Sequence, residues 1–213
     1  MSNRIEAPRR GMLLVISSPS GAGKSSLSRK LVEENARLVL SVSATTRDPR
    51  PGEVDGREYR FVTPERFEAM RAADAFLEWA EVHEHAYGSP RGPIMDHLEA
   101  GRDVLFDIDW QGAQSIAAAE PEDTVRVFIL PPSLADLAKR LRGRGQDAEP
   151  VIERRLGRAA GEIAHWPEYD YVLVNDDFDE TYGRLAAIYA AEGLKRRRNL
   201  WIEPMVARMV AEG

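Results

Sequence analysis

Residues 13–31 read LLVISSPSGAGKSSLSRKL, and this stretch restricts the fold more than any other. An apolar run suited to a buried strand passes into a loop of small residues and then into a helical pattern. Such a strand–loop–helix turns successive backbone N–H groups into one concavity, and the helix dipole reinforces them, so that the loop cradles phosphate oxygens. The loop closes on Gly23-Lys24-Ser25. Lys24 is placed to reach outer phosphates and the Ser25 hydroxyl to ligate Mg²⁺. Gly21 and Gly23 let the backbone turn tightly and approach a ligand closely. The usual spacing opens with a glycine where this chain has Ser18, a substitution that a turn without positive φ accepts. The pattern is not a dinucleotide fingerprint, because a lysine stands fourth and Ser26 sixth.

The rest of the chain repeats the rhythm. Continuous apolar runs at 12–17, 38–42, 104–108, 125–130 and 171–174 alternate with helical spacing at 24–34, 94–100, 111–119, 134–142, 151–165 and 180–198. Unbroken apolar strands separated by helices predict a parallel sheet covered on both faces, an α/β fold. Residues 43–90 break the rhythm with Pro49, Pro51, Gly52 and Gly56, followed by the short alternating runs EYRFV (58–62) and FLEWAEV (76–82). They predict a small mixed α/β lobe inserted into the core. The polar stretch RGRGQDAEP (142–150) lies between two helices with no apolar anchor and reads as a mobile lid. The expected organisation is one domain over 11–198, with core 11–42 and 91–198, lobe 43–90, lid 142–154 and a helical tail at 199–213.

Composition narrows the function. With 213 residues, 43 % hydrophobic and 30 % charged, the chain can bury a core. It has no cysteine, hence no disulfide or thiolate metal site. No apolar run approaches a membrane span and no signal-peptide pattern opens the chain, so a cytoplasmic protein without membrane partners is expected. A net charge of −6 argues against nucleic acid as a partner, whereas local arginine clusters at 139–145, 153–158 and 195–198 suit a small anionic ligand. The last of these, KRRR, is expected to complement the dipole of the final helix. His83 and His85 stand two apart without a third ligand in sight.

Five stretches in order, SVSATTRDPRPGEVDGREY (41–59), FLEWAEV with a following YGS (76–89), DIDWQGAQ (107–114), RLRGRGQD (140–147) and YDYVLVNDDFD (169–179), resemble the bacterial guanylate kinases. The resemblance spans residues 11–198, and members of that family open the phosphate loop with serine. It implies a P-loop NTPase core, a GMP-binding lobe and an arginine-bearing lid. The implied activity is transfer of the γ-phosphoryl of ATP to GMP with Mg²⁺, dGMP being a further possible acceptor. The state of assembly is open between monomer and homodimer.

Residue by residue, the resemblance assigns the loop Ser18, Pro19, Ser20, Gly21, Ala22, Gly23, Lys24, Ser25 and Ser26 to ATP, with Asn175 on the adenine side. Guanine offers N1–H and N2–H₂ donors beside an O6 acceptor, so a reader needs a carboxylate and hydroxyls. Glu78 is the implied carboxylate, with Ser43 and Ser89 as hydroxyl partners and Asp109 nearby. Arg47, Arg50, Tyr59, Tyr87 and Gly88 are implied around the GMP phosphate, and Glu53 as a residue that shapes their loop. Asp107, at the end of a buried strand, is implied as the Mg²⁺ carboxylate with Ser25. Lys24, Arg47, Asp107, Arg140, Arg144 and Arg155 form the implied catalytic set. The sequence EHAYGSP departs from the family pattern by losing one tyrosine while keeping Tyr87.

Three other readings fit less well. A catalytically inactive guanylate-kinase-like binding module would lose Lys24 and the lid arginines, which are present. A kinase for a phosphorylated sugar would leave Ser43, Glu78 and Ser89 purposeless. A regulatory GTPase would carry its guanine motif after the lid.

Overall fold

The computed structural model describes residues 8–82, 84–143 and 148–212; Arg144 and His83 lie outside them. In chain order the elements are β1 Leu13–Ser17, α1 Lys24–Glu34, β2 Leu38–Leu40, β3 Ala44–Thr45, β4 Arg60–Phe61, α2 Pro64–Ala72, β5 Phe76–Val82, β6 His85–Pro90 and α3 Arg91–Glu99. They continue with β7 Asp103–Asp107, α4 Trp110–Ala119, β8 Thr124–Leu130, α5 Leu134–Gly143, α6 Glu149–Ile163, β9 Tyr171–Val174, α7 Phe178–Gly193 and α8 Ile202–Glu212.

Five strands form one parallel sheet in the order β2-β7-β1-β8-β9. The central strand explains why an unbroken apolar run was needed. All five residues of β1 are buried. Leu14 and Ile16 pack with Leu27 and Leu31 of α1 and Leu185 of α7 on one face. Leu13 and Val15 pack with Leu98 of α3 and Ile116 of α4 on the other. Because strand side chains alternate, a strand covered on both faces has no polar face to show. The parallel register carries the C-terminal ends of β1 and β7 to one rim, pairing Ile16 with Asp107. That rim carries the loop after β1 and the carboxylates after β7.

The lobe is a four-stranded mixed sheet, β4-β3-β6-β5. It contains a helix, α2, that hydrophobic spacing did not announce. Only Phe67 of its nine residues is buried, stacked on Phe76 with ring centroids 4.6 Å apart. Its start was nevertheless written locally: the Thr63 side chain caps the Arg66 amide at 3.2 Å, and Pro64 occupies the first turn.

Helices α5 and α6 pack on each other through Leu137, Leu141, Ile152 and Ala159, a small apolar cluster of their own. They flank the segment read as a lid.

The last core helix is shorter than its spacing suggested. It ends at Gly193, and the KRRR stretch is a separate 3-10 turn, Arg196–Arg198. Its arginines lie outside that helix, and Arg197 donates to Glu122 at 3.1 Å. Arg198 is 1 % exposed and donates to the carbonyls of Gly11 at 3.0 Å and Asp123 at 3.3 Å. It staples the C-terminal segment to the start of β1. Beyond it, α8 has no buried residue.

Candidate functional site

The loop after β1 takes the conformation its glycines permit. Gly21 and Gly23 have φ of 100° and 104°, a left-handed backbone that a side chain resists. Space demands them as well. A Cβ at Gly23 would lie 2.3 Å from Asn175 Nδ2, and one at Gly21 2.9 Å from Leu141 Cδ2. Gly23 begins α1 with no side chain capping it, so the amides of the first turn are available to an anion. A cavity of about 350 Å³ opens over this turn. Ser18, Ser20, Gly21, Gly23, Lys24, Ser25 and Ser26 line it, joined by Asp109, Trp110 and Glu162.

Two members of the loop face elsewhere. Ala22 is fully buried and its amide donates to the Pro19 carbonyl at 3.2 Å. Both shape the turn from beneath. Asn175, expected on the adenine side, is 5 % exposed and donates through Nδ2 to the Ala22 carbonyl at 2.6 Å. Through that hydrogen bond the side chain buttresses the loop. Nor does it cap the next helix, since Asp177 accepts from the Glu180 amide at 2.8 Å to begin α7.

Lys24 crosses from α1 to the end of β7. Its ammonium forms an ion pair with Asp107 and donates to the Ile108 carbonyl at 3.1 Å. Asp109 follows and caps α4, accepting from the Gly112 amide at 2.9 Å while lining the cavity. The capping and ligand-facing readings of Asp109 are thus compatible.

The lobe brings its implied readers to the other side of the same strand end. Glu78 of β5 accepts from the Ser89 hydroxyl of β6 at 2.6 Å, and Ser89 Oγ lies 3.5 Å from Ser43 Oγ. Glu78 Oε2 would be 3.5 Å from a Cβ at Gly112, so the carboxylate sits over the first turn of α4. Burial pushes the Glu78 carboxyl above its ordinary value; the Ser89 hydrogen bond opposes this and the Asp109 charge adds to it.

Nearby, Arg47 is held by Glu53, which accepts from Nη2 at 2.9 Å and from the Arg50 amide at 2.7 Å. That pairing lowers the Glu53 carboxyl below its usual range, the Arg47 hydrogen bond acting first and the Arg50 amide second. The Arg47 guanidinium lies 5.3 Å from the centre of the Tyr59 ring, which meets Tyr87 edge-on at 5.9 Å. Gly88 has a packing reason that suffices without a ligand, since a Cβ there would stand 2.8 Å from Phe76 Cδ1.

Of the implied lid arginines, Arg140 and Arg155 are described. Arg140 donates to the carbonyls of Asn175 at 2.8 Å and Asp176 at 3.5 Å. It therefore lies against the end of β9, away from the cavity lining. Arg155 is half-buried on α6, and Arg144 falls outside the described residues. The sequence reading missed the lining residues Ser17, Trp110, Phe128 and Glu162. Trp110 stacks on His165 with centroids 3.6 Å apart and rings 10° from parallel. Glu162 reaches the loop across 142 positions of sequence, accepting from the Ser20 amide at 3.4 Å. Trp110 could have been suspected as the residue after Asp109; nothing local marks Glu162.

Among the described residues no group of three or more His, Cys, Asp or Glu could hold a metal by itself, and no helix is long and apolar enough to cross a membrane.

Known proteins place this arrangement. The family profile described as guanylate kinase matches residues 10–192. A guanylate kinase of Caulobacter vibrioides is 56 % identical over 210 residues, covering 99 % of both chains. One from Maricaulis maris is 59 % identical over 198 residues, covering 93 % of this chain and 91 % of its own. The crystal structure of guanylate kinase from Anaplasma phagocytophilum superposes with a TM-score of 0.74 at 38 % identity, covering 94 % of this chain and 95 % of that one. With the sheet, loop and lobe in place and matches of this extent, the chain belongs to the guanylate kinase family.

Proposed function

We propose that the protein transfers the γ-phosphoryl group of ATP to GMP, releasing ADP and GDP. The observation that carries the reading is the hydrogen-bonded set Glu78–Ser89–Ser43, which lies across one strand end from the Lys24 loop. A carboxylate flanked by hydroxyls accepts the two donors of the guanine edge and serves O6. Adenine would present an acceptor to that carboxylate and leave buried polar groups unpaired, the condition under which sites reject analogues most strongly.

Arg47, oriented by Glu53, is our assignment for the GMP phosphate, with Tyr59 and Tyr87 donating phenolic hydrogen bonds to it. The loop amides and Lys24 hold the triphosphate. The Ser25 hydroxyl, which lines the cavity, and the Asp107 carboxylate, paired with Lys24, fit Mg²⁺, a cation that keeps several waters and takes phosphate oxygens instead of needing a protein cage. When bound it would neutralise phosphate charge between the two nucleotides. An ionised oxygen of GMP attacks the γ-phosphorus as the bond to the β,γ-bridging oxygen breaks, and ADP departs with that electron pair. The attacking oxygen already carries charge, so no general base is required. Lys24, Arg140, Arg144 and Arg155 are the cations assigned to the equatorial oxygens, with Arg144 and Arg155 arriving on closure of the lid.

The test is ADP formation from ATP and Mg²⁺ with GMP, AMP, CMP or UMP in parallel, using wild type and Glu78→Ala. Turnover with GMP alone, reduced about 10²-fold in kcat/KM by the substitution, is the expected result, from loss of hydrogen bonds to a charged acceptor. A folded wild type that binds GMP without turnover would instead favour the binding-module reading.

A further inference from the structure

The loop already holds an anion of the protein's own. Its amides and the uncapped start of α1 form a site that attracts negative charge. Three carboxylates lie at or near it. Asp107 is paired with Lys24, and Asp109 is committed to the Gly112 amide. The third, Glu162 of α6, points into the cavity and accepts from the Ser20 amide at 3.4 Å. Where a loop gathers phosphate oxygens, a carboxylate oxygen on one of its amides occupies ground that a phosphate needs.

The mounting of Glu162 makes this contact more than incidental. The chain just beyond α6 is fastened to α4 by the Trp110–His165 stack and by Glu168, which accepts from Gln114 at 2.7 Å and meets His165 Nδ1 at 2.7 Å. Glu162 is three residues before that anchor, whereas the start of α6 borders the segment read as the lid. Arg155 is seven positions before Glu162, hence on the same helical face and about 10 Å away. One face of α6 thus carries a carboxylate at the loop and, two turns nearer the lid, an arginine.

We propose that Glu162 is an intramolecular stand-in for nucleotide phosphate: a positioning residue that accepts from the Ser20 amide and competes with ATP for it. Arrival of the triphosphate displaces the carboxylate, and the charge that repels Glu162 attracts Arg155 along the same face. Exchange of one for the other couples ATP binding to the swing of α6. The proposal rests on the loop being an ATP site and is independent of which acceptor follows.

The experiment is calorimetric titration of ATP, inorganic tripolyphosphate and GMP into wild type, Glu162→Gln and Glu162→Ala, with thermal melts of each. Both variants are expected to bind ATP and tripolyphosphate about three- to tenfold more tightly, the scale of one charge-assisted hydrogen bond discounted for partial exposure. GMP affinity is expected to stay within twofold. A purely structural role would lower Tm and weaken all three ligands. Unchanged or weaker tripolyphosphate binding by the isosteric Gln variant, with its Tm preserved, overturns the proposal. Turnover of the wild type with GMP, run alongside, reports separately on the activity, so either reading can fail without the other.

Discussion

Gly23 and Asn175 are predicted to be energetically inseparable. Replacing Gly23 by Ala places a Cβ 2.3 Å from Asn175 Nδ2 and forces a side chain into φ 104°. The backbone strain costs about 1–3 kcal/mol. The clash must also move the buried amide off the Ala22 carbonyl, ending a 2.6 Å hydrogen bond and leaving polar groups unpaired at about 1–3 kcal/mol. The single substitution should therefore destabilise by about 2–6 kcal/mol. Asn175→Ala loses the same hydrogen bond without the strain, at about 1–3 kcal/mol. In the double variant the bond can be lost only once. Asn175→Ala should therefore cost almost nothing when Gly23 is already Ala, and the coupling should equal its full single cost. Urea unfolding of the four proteins, followed by tryptophan fluorescence and far-UV circular dichroism with coincidence checked, measures the cycle. Additivity within about 0.5 kcal/mol would show that Asn175 does not buttress the loop as described.

The remaining predictions separate the site's parts. Glu53→Gln should raise KM for GMP about five- to twentyfold with kcat within about twofold, since it frees Arg47 from its charge-assisted tether before substrate arrives. Equal losses in kcat and kcat/KM would place Glu53 in the chemistry. Burial holds the Glu78 carboxyl above its ordinary 4.5, so the folded protein takes up a proton at higher pH than the unfolded chain. Guanine needs the ionised form. KM for GMP should accordingly rise as pH falls through that raised value, with the inflection above pH 4.5, and Glu78→Gln should have a weak, flat profile. By the same linkage, ionised Glu78 opposes folding at neutral pH, so Glu78→Gln should melt higher there than wild type. Asp103, 1 % exposed, accepts from Arg9 at 3.0 Å, the Met12 amide at 2.9 Å and Tyr189 at 2.8 Å. Asp103→Asn should cost about 3 kcal/mol in urea unfolding and leave kcat unchanged, because it lies at the opposite end of β7 from Asp107.

What could be read in advance divides by the range of the interaction. The parallel sheet was legible because its cause is local: a strand covered on both faces must be apolar throughout, and β1 is. The loop was legible for the same reason, its glycines and Lys24 acting within a few residues of one another. Helix α2 was not, because it buries a single side chain and shows a cap but no apolar face. The charge run 195–198 misled for a complementary reason. Composition marks four cations as surface, and only contacts with Gly11, 187 positions away, and with Asp123 show that Arg198 is buried.

The functional residues follow the same division, and it bears on which of them can be varied. Phosphate chemistry concentrates in one contiguous loop, since backbone amides do the binding and neighbours supply them. The base reading we propose draws on side chains far apart in sequence, Ser43 and Ser89 standing 46 positions apart. Only the resemblance to a family could bring those together before the fold did. The contacts that brace the loop come from further out still. Glu162 meets Ser20 across 142 positions, and Asn175 meets Ala22 across 153. Neither residue type is required by the reaction; each matters through where the sheet delivers it. Loss of a loop glycine alters a local geometry that no distant substitution can supply. Loss of a long-range partner removes one contact from an otherwise intact loop. Substitution at Asn175 should therefore cost stability by about 1–3 kcal/mol and substitution at Glu162 should change nucleotide affinity by about tenfold or less, whereas removal of Lys24 would take away the charge that we assign to the transferring phosphoryl group.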